Sequence, residues 1–399
     1  MTTIMAASPS ASHRGSSSTE NDAVAAAKLR ATLSSSPKPM PLDDAALTTA
    51  DKASKTGRLR TFRTSFRYLR QLTPQQVSDF MSSYIIYTLD WSDPVGMTTA
   101  LGPHYRQRVG DCLRAYYGIL NHLCALGAVE KMYIPPVRDL SVSVRDNQLL
   151  YERAVARALG LRSGHRVLDL GCGRGRVAAH MATAVPGLRV TGVNIDPDQI
   201  GAATAFSEER GLGGNEFVMR DFNDLPLPFG DEAFDGFYAI QALSLSKDLG
   251  ELFRDVYRVL KPGARVSILD WVRLAGYDEG NAEHAELMRR VKPLIGAVGT
   301  PTPHGMEAAL EGAGFVVVRS ENASIDGLQS PLIRHVDGYF RALRMFVSAA
   351  VRLRWLPGHF KTLIDRLCLD GEAFVKMDEM RLITTSWWIV AEKPAMKEQ

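Results

Sequence analysis

Val167-Leu168-Asp169-Leu170-Gly171-Cys172-Gly173-Arg174-Gly175 is the stretch on which the reading of this chain turns. A short apolar strand, Arg166 to Leu170, runs into a glycine-rich turn, and Val177 to Val185 continues as a helix. Glycines at such a turn adopt backbone angles that other residues resist, and a ligand can lie against their bare backbone. In a doubly wound sheet the ligand sits at the carboxyl ends of the strands. The pattern is Gly-x-Gly-x-Gly, because Arg176 stands where a dinucleotide fingerprint needs its last glycine, and no acid directly follows Val193. A nicotinamide dinucleotide is therefore rejected. Asp169 would repel a pyrophosphate, yet it suits a ligand that carries an ammonium group and a sulfonium cation. Asp169, Gly171, Cys172, Gly173 and Gly175 are the candidate cofactor residues of this loop.

Strand and helix patterns alternate on the carboxyl side of the turn. Arg189 to Asn194, Glu216 to Met219, Gly236 to Ile240 and Arg265 to Asp270 read as strands. Pro197 to Glu209 and Leu249 to Leu260 read as helices, the second ended by Lys261-Pro262-Gly263. Leu149 to Leu159, before the first strand, is amphipathic. Such alternation implies a parallel sheet covered on both faces, a Rossmann-like α/β fold. The second strand ends Val193-Asn194-Ile195-Asp196 and so offers Asn194 and Ile195 where ribose hydroxyls would lie. The third ends Met219-Arg220-Asp221-Phe222: the Asp221 carboxylate can accept from an adenine amine while Phe222 packs the ring. In this order the pieces imply S-adenosylmethionine as cofactor and methyl transfer as chemistry, with no metal.

The length of 399 residues, with 45% hydrophobic and 23% charged residues and a net charge of +3, fits a globular chain. That charge argues for no nucleic acid partner, and no run of eighteen apolar residues could span a membrane. Cys112, Cys124, Cys172 and Cys368 have neither metal-ligand nor redox spacing, which points to a reduced, intracellular compartment. Four pieces follow from the patterning. Residues 1–50 are a Ser- and Ala-rich tail, expected to be disordered for want of apolar groups. Residues 51–146 are helical, with Thr73-Pro74 a good helix start, and their stretch from Thr73 to about Tyr133, with Tyr116 and Tyr117, is expected to cover part of the core and to form part of a substrate pocket. Residues 147–325 hold the cofactor-binding sheet. Residues 326–399 form a basic amphipathic stretch and then the apolar strand Ile383 to Ala391.

The chain from about Leu150 to Pro394 resembles the sterol methyltransferase family, class I enzymes that alkylate the side-chain double bond of sterols. The resemblance lies in the Gly171 loop with Val193-Asn194, in Asp221-Phe222 with Leu225 to Phe229, and in Tyr238-Ala239-Ile240. Asp270-Trp271-Val272 with Tyr277-Asp278 and His284 continues it. The tail from Tyr339 to Lys393-Pro394, with Trp387-Trp388-Ile389, resembles the C-terminal region that generic methyltransferases lack. The resemblance implies that Asp169, Gly171, Gly173, Asn194, Asp221 and Phe222 hold the cofactor. The departures fall on the acceptor side. The family has Glu where this chain has Gln241, and a His where it reads Leu243-Ser244-Leu245-Ser246. Its Tyr-Glu-x-Gly-Trp-Gly run is echoed only by Tyr87-Thr88-Leu89-Asp90-Trp91.

Methylation of an alkene leaves a carbocation, which aromatic faces or carboxylates must stabilise before a base removes a proton. Asp270, at the end of the fifth strand, and Gln241 are the candidate catalytic residues. Asp270 reads equally as a loop-capping carboxylate, and Gln241 lacks the charge that the family's Glu would bring. The leading expectation is C-methylation of a sterol or another isoprenoid, so a lipid-like small molecule is the expected substrate. The alternatives are N-, O- or S-methylation of a small polar metabolite, and a cofactor-binding regulator without turnover. The interleaved Arg341, Arg344, Arg352, Arg354, Phe340, Met345, Phe346 and Trp355 read either as a helical lid with a wet basic face or as a peripheral contact with an internal membrane.

Overall fold

The computed structural model describes residues 55–126 and 129–395, with backbone alone at 55–60. The tail expected at residues 1–50 lies outside the described residues. Among the described residues the helices α1 (Lys55–Arg70), α2 (Pro74–Ser83), α3 (Pro94–Leu101) and α4 (Tyr105–Leu126) come first. Thr73 caps α2 with a full capping box: its hydroxyl accepts from the Gln76 N–H, and the Gln76 side chain reaches back to the Thr73 backbone. α5 (Val144–Ala158) starts earlier than its apolar periodicity suggests, because Ser143 caps it.

The sheet and its cover follow as β1 (Arg166–Leu170), α6 (Arg176–Ala184), β2 (Arg189–Asn194), α7 (Pro197–Glu209), β3 (Glu216–Met219) and β4 (Phe234–Ile240). Next come α8 (Leu249–Val259), β5 (Leu260–Arg273), α9 (Ala282–Ile295), α10 (Pro303–Gly312) and β6 (Val316–Asn322). α11 (Ser330–Arg352), α12 (His359–Leu367), α13 (Gly371–Glu379) and β7 (Ile383–Glu392) complete the chain. The strand order is β3-β2-β1-β4-β5-β7-β6.

The sheet is not wholly parallel, which corrects the expectation drawn from alternation. β7 is antiparallel to both its neighbours, β5 and β6. Alternating patterns reveal which elements exist, but a strand that is apolar on both faces reads the same in either direction. Residues after 326 thus supply an inner strand of the sheet that residues 147–325 begin. β5 is also longer than expected. Leu260 already pairs with Phe234, and the register resumes at Arg265 and Gly236 after an irregularity around Lys261-Pro262-Gly263, where Gly263 takes a positive φ.

Side chains of successive strand residues divide between the two faces. Leu168, Leu170, Phe237, Val266, Ile268 and Ile389 pack against Leu252, Phe253 and Val256 of α8 and Met306 and Leu310 of α10. Val167, Val190, Tyr238, Leu269 and Trp388 pack on the other face against Tyr151 and Val155 of α5 and Met181 of α6. A further core joins the two ends of the chain: Leu69, Phe80, Tyr116 and Leu120 pack with Val347, Phe360, Leu363 and Ile364. The cover over the carboxyl ends of the strands is therefore built from both ends at once.

Candidate active site

A cavity of about 390 Å³ lies over the carboxyl ends of β1, β2 and β4 and reaches between α4 and the helices α11 to α13. Among its lining residues are Asp169, Gly171, Cys172, Gly173, Asn194, Ile195, Asp221, Phe222 and Gln241. The glycines of the loop are there for different reasons. A Cβ on Gly171, at φ +82°, would stand 2.4 Å from the Cβ of Ala242, so this glycine lets the turn pack on the segment after β4. The Gly171 and Cys172 N–H groups both donate to Val193 O, at 2.9 and 3.1 Å, which ties the turn to β2. Gly173, at φ +54°, is the open position: a Cβ there would meet nothing closer than Gln199 Oε1 at 3.4 Å. Gly175 corrects an expectation. It caps α6 in a left-handed conformation and does not line the cavity, because a Cβ there would stand 2.8 Å from the Cβ of Ala203. Its need for glycine comes from helix packing.

The carboxylate of Asp169 is buried and accepts from Tyr238 Oη at 2.8 Å. Burial pushes it up to about 7, and the Tyr238 hydrogen bond only partly offsets that. Nε and Nη1 of Arg176, another residue of the cavity wall, are buried with no hydrogen-bond partner. A buried acid and a guanidinium that stacks on the Phe206 ring at 3.3 Å, with two nitrogens lacking a hydrogen-bond partner, fit the ammonium and carboxylate of an amino-acid moiety. Asn194 Oδ1 accepts from the Asp196 N–H at 2.9 Å, which fixes the carboxamide at the cavity. Asp196 itself is occupied as the cap of α7, accepting from the Asp198 N–H at 2.9 Å and from Gln199 Nε2 at 3.2 Å. Asp221 Oδ1 accepts from the backbone N–H and Nδ2 of Asn223, at 2.9 and 3.0 Å, and that orients its carboxylate. These groups fit S-adenosylmethionine from its amino-acid end to its base.

The other half of the cavity is apolar and aromatic. α4 contributes Leu113, Tyr116, Tyr117, Leu120 and Cys124, and the C-terminal helices contribute Val336, Phe340, Leu367 and Phe374. Burial pushes the Tyr117 phenol and the Cys124 thiol both up to about 12, so each is neutral at ordinary pH.

Residues 129–135 close the cavity from above and connect its halves. They are pinned to a buried acid, Glu152 of α5: Lys131 Nζ donates to its two oxygens at 2.7 and 2.6 Å, and Tyr133 Oη donates at 2.6 Å. His180 Nδ1 lies 2.5 Å from the same carboxylate. Burial alone would raise Glu152, but Lys131 and His180 together outweigh it and hold the group at about 2. Gln241 fastens the next residue. Its Nε2 donates to Ile134 O at 2.7 Å and Thr385 O at 2.8 Å, while its Oε1 accepts the Ile134 N–H at 3.0 Å.

The structure keeps Gln241 at the cavity and takes Asp270 away from it. Asp270 does not line the cavity. Its buried oxygens accept from the Leu243 N–H and the Trp271 N–H, both at 2.8 Å, so it organises the turn after β4. Of the two sequence readings of Asp270, the loop-capping one matches this geometry. His284 likewise lies off the cavity, accepting the Asp278 N–H through Nδ1.

Tyr116 and Tyr117 lie at the cavity, in the stretch expected to form part of a substrate pocket, whereas sequence reasoning missed Gln199, Asp337 and the extended 129–135 segment. For the last, a signal exists: Tyr133-Ile134-Pro135-Pro136 is apolar without helix or strand period, and its prolines hold it extended before the Ser143 cap.

The methyltransferase-domain family matches residues 168–268. A sterol 24-C-methyltransferase of Pneumocystis carinii is 31% identical over 255 residues, spanning 61% of this chain and 66% of that protein. The methyltransferase phqN of Penicillium fellutanum is 30% identical over 246 residues, 61% of this chain and 71% of its own. A botryococcene C-methyltransferase of Botryococcus braunii is 30% identical over 259 residues, 63% and 68% of the two chains. Among solved structures, the [4+2]-cyclase SpnF superposes with a TM-score of 0.58 at 21% identity, covering 72% of this chain and 97% of its own. The mycolic acid cyclopropane synthase CmaA1 complexed with SAH gives 0.53 at 15% identity, covering 66% and 90%. These two likenesses speak to the fold.

Proposed function

This chain belongs to the sterol methyltransferase family of class I S-adenosylmethionine-dependent methyltransferases, and on that premise we propose that it methylates a carbon of a sterol or another isoprenoid. The observation that carries the reading is the apolar, aromatic half of the cavity, continuous with the glycine loop. A small polar metabolite would leave that wall without a partner. Two of the relatives, a sterol 24-C-methyltransferase and a botryococcene C-methyltransferase, point the same way.

When bound, S-adenosylmethionine supplies an electrophilic methyl group on a sulfonium cation. Asp169 and Arg176 would hold the amino-acid end, Asn194 the ribose and Asp221 with Phe222 the adenine. The residues 129–135 and Gln241 keep water from the transfer line and fix the acceptor against it. Attack by an alkene carbon leaves positive charge on its neighbour. Tyr116 and Tyr117 of α4 line that half of the cavity, and an aromatic ring facing a desolvated cation is worth about 0.5–2 kcal/mol. Because Tyr117 stays neutral, it acts through its ring and hydroxyl dipole, not as a base.

Among the described residues no helix is long and apolar enough to cross a membrane. An acceptor of this class resides in a bilayer, and one surface fits contact with it. Met345, Phe346 and Trp355 are 69%, 63% and 70% exposed, and Tyr339 and Leu353 are more than half exposed. Arg341, Arg352 and Arg354 are exposed among them. Apolar side chains framed by arginines suit an anionic bilayer surface. The opposite face of α11 lines the cavity, so the same helix would meet the lipid and admit it.

The test is incubation with methyl-labelled cofactor and, separately, isoprenoid and polar acceptors. Label entering the organic extract supports the reading, and label confined to the aqueous fraction overturns it.

A further inference from the structure

We propose that Asp337 anchors a hydroxyl group at the end of the acceptor remote from the methylated carbon, so that the acceptors of this enzyme are isoprenoid alcohols and not hydrocarbons. The proposal rests on the isoprenoid reading above. Asp337 is the one charged residue that α11, α12 and α13 bring to the cavity wall, where it stands among Val336, Phe340, Leu367, Cys368 and Phe374. A carboxylate in such a wall costs free energy unless it gains a polar partner. Part of that partner is built in: Arg341 Nε, one turn on, lies 3.0 Å from Oδ2, with the Arg341 side chain 67% exposed and that of Asp337 20% exposed. The pair therefore marks the mouth of the cavity, with the guanidinium toward water.

A glycine faces the other oxygen. A Cβ on Gly371, itself a cavity residue at the start of α13, would stand 2.9 Å from Asp337 Oδ1. Glycine is a poor residue for a helix, and here the φ is ordinary, so backbone strain does not require it. Its effect is to leave room in front of Oδ1. An acceptor lying in the apolar half toward the cofactor loop would carry a terminal hydroxyl to this spot, where it could donate to a carboxylate fixed by Arg341. A hydrocarbon would leave Oδ1 desolvated and unpaired, and would be disfavoured on that account. The surface that fits a bilayer lies on the same helix, which suits an amphiphile whose polar head stays near the interface.

The experiment compares a sterol that has a side-chain double bond with the same sterol lacking its ring hydroxyl, both dispersed in detergent. The unaltered enzyme is expected to favour the alcohol in kcat/KM. Asp337→Ala should raise KM for the alcohol by about tenfold, the loss of one hydrogen bond to a charged acceptor, with little change in kcat or in the KM of the deoxy compound. Gly371→Ala, which obstructs Oδ1 but keeps the charge, should give the same pattern. Arg341→Ala breaks the ion pair but keeps the carboxylate, and should retain the preference for the alcohol. S-Adenosylhomocysteine affinity should be unchanged in Asp337→Ala. Equal rises in KM for both acceptors, or an Arg341→Ala enzyme that matches Asp337→Ala, would make the pair a helix-stabilising ion bridge and overturn the anchor. Equal kcat/KM for the two sterols in the unaltered enzyme would overturn it too. If the unaltered enzyme methylates neither of them nor any other isoprenoid, the isoprenoid reading fails first and the anchor with it.

Discussion

Gln241 and Ile134 hold each other from both sides, side-chain amide to backbone amide, with Nε2 donating to Ile134 O at 2.7 Å and Oε1 accepting the Ile134 N–H at 3.0 Å. The second Nε2 hydrogen goes to Thr385 O of β7 at 2.8 Å, so one carboxamide joins β4, β7 and the segment over the cavity. Gln241 does this from a left-handed backbone conformation, φ +49°. Such strain in a residue other than glycine persists only where its surroundings hold it.

This relationship reverses what charge alone suggests for position 241. On charge alone, Gln241→Glu would restore the acid of related enzymes near a developing cation. In this geometry, a carboxylate would face the Ile134 and Thr385 carbonyl oxygens with no hydrogen to give. Gln241→Glu is therefore expected to lose about 1–3 kcal/mol of stability, the cost of leaving buried acceptors unpaired. Turnover should fall with it, as the closing segment loosens. Thermal denaturation at neutral pH, with turnover measured on the same preparation, checks this. A variant as stable and active as the parent would show that the bridge is dispensable.

Cofactor affinity should depend on pH through Asp169. Burial holds this acid at about 7, whereas an ammonium ligand needs the carboxylate. Below pH 7 a proton must leave as the ligand arrives, so S-adenosylhomocysteine affinity should fall by up to about tenfold per pH unit and level off above. The effect on folding has the opposite sense. A carboxyl whose folded value is raised contributes stability that is fully present below its unfolded value and is lost as pH rises through about 7. Asp169→Asn should flatten both profiles. Calorimetric titrations from pH 6 to 8 decide it, and an affinity independent of pH in the parent enzyme would refute it.

Asp270→Asn tests whether that residue organises the turn after β4. Both oxygens accept backbone N–H groups, and an Asn Nδ2 would confront one of those donors. A loss of about 1–3 kcal/mol in stability is expected. Both cofactor and acceptor binding should weaken, because Ala242 and Leu245 of that turn line the cavity. A fully stable variant with unchanged binding constants but slowed transfer would instead place Asp270 in the chemistry.

Membrane contact is open to a direct measurement. Phe346→Ser with Trp355→Ser removes two large exposed apolar side chains from the surface of α11 and the turn after it. Sedimentation with vesicles containing about a third of anionic lipid should show partition reduced by about tenfold or more, with turnover on detergent-dispersed acceptor preserved. Partition unchanged by the substitutions, or equal on neutral vesicles, would remove this surface from consideration.

By itself the sequence determined the cofactor half. β1, β2, β3 and α7 fall on the residues that strand and helix patterns indicate, because each is set by local periodicity, a Pro or Asp start and the glycines of one turn. That Asp169, Gly173, Asn194 and Asp221 line the cavity is legible for the same reason, since the strand ends and the turns that follow them in a parallel sheet border the crevice at its carboxyl edge. Gly175 shows the limit: in the sequence it is indistinguishable from its neighbours, and only the approach of Ala203 reveals it as a packing residue. Only the tertiary structure decided the direction of β7, the cavity shared by helices from both ends of the chain, and the roles of Gln241 and Asp270. A reversed strand keeps the same residue pattern, and Ile134 and Gln241 stand more than a hundred residues apart. An amide or carboxylate side chain carries no local mark of the distant backbone groups it will meet.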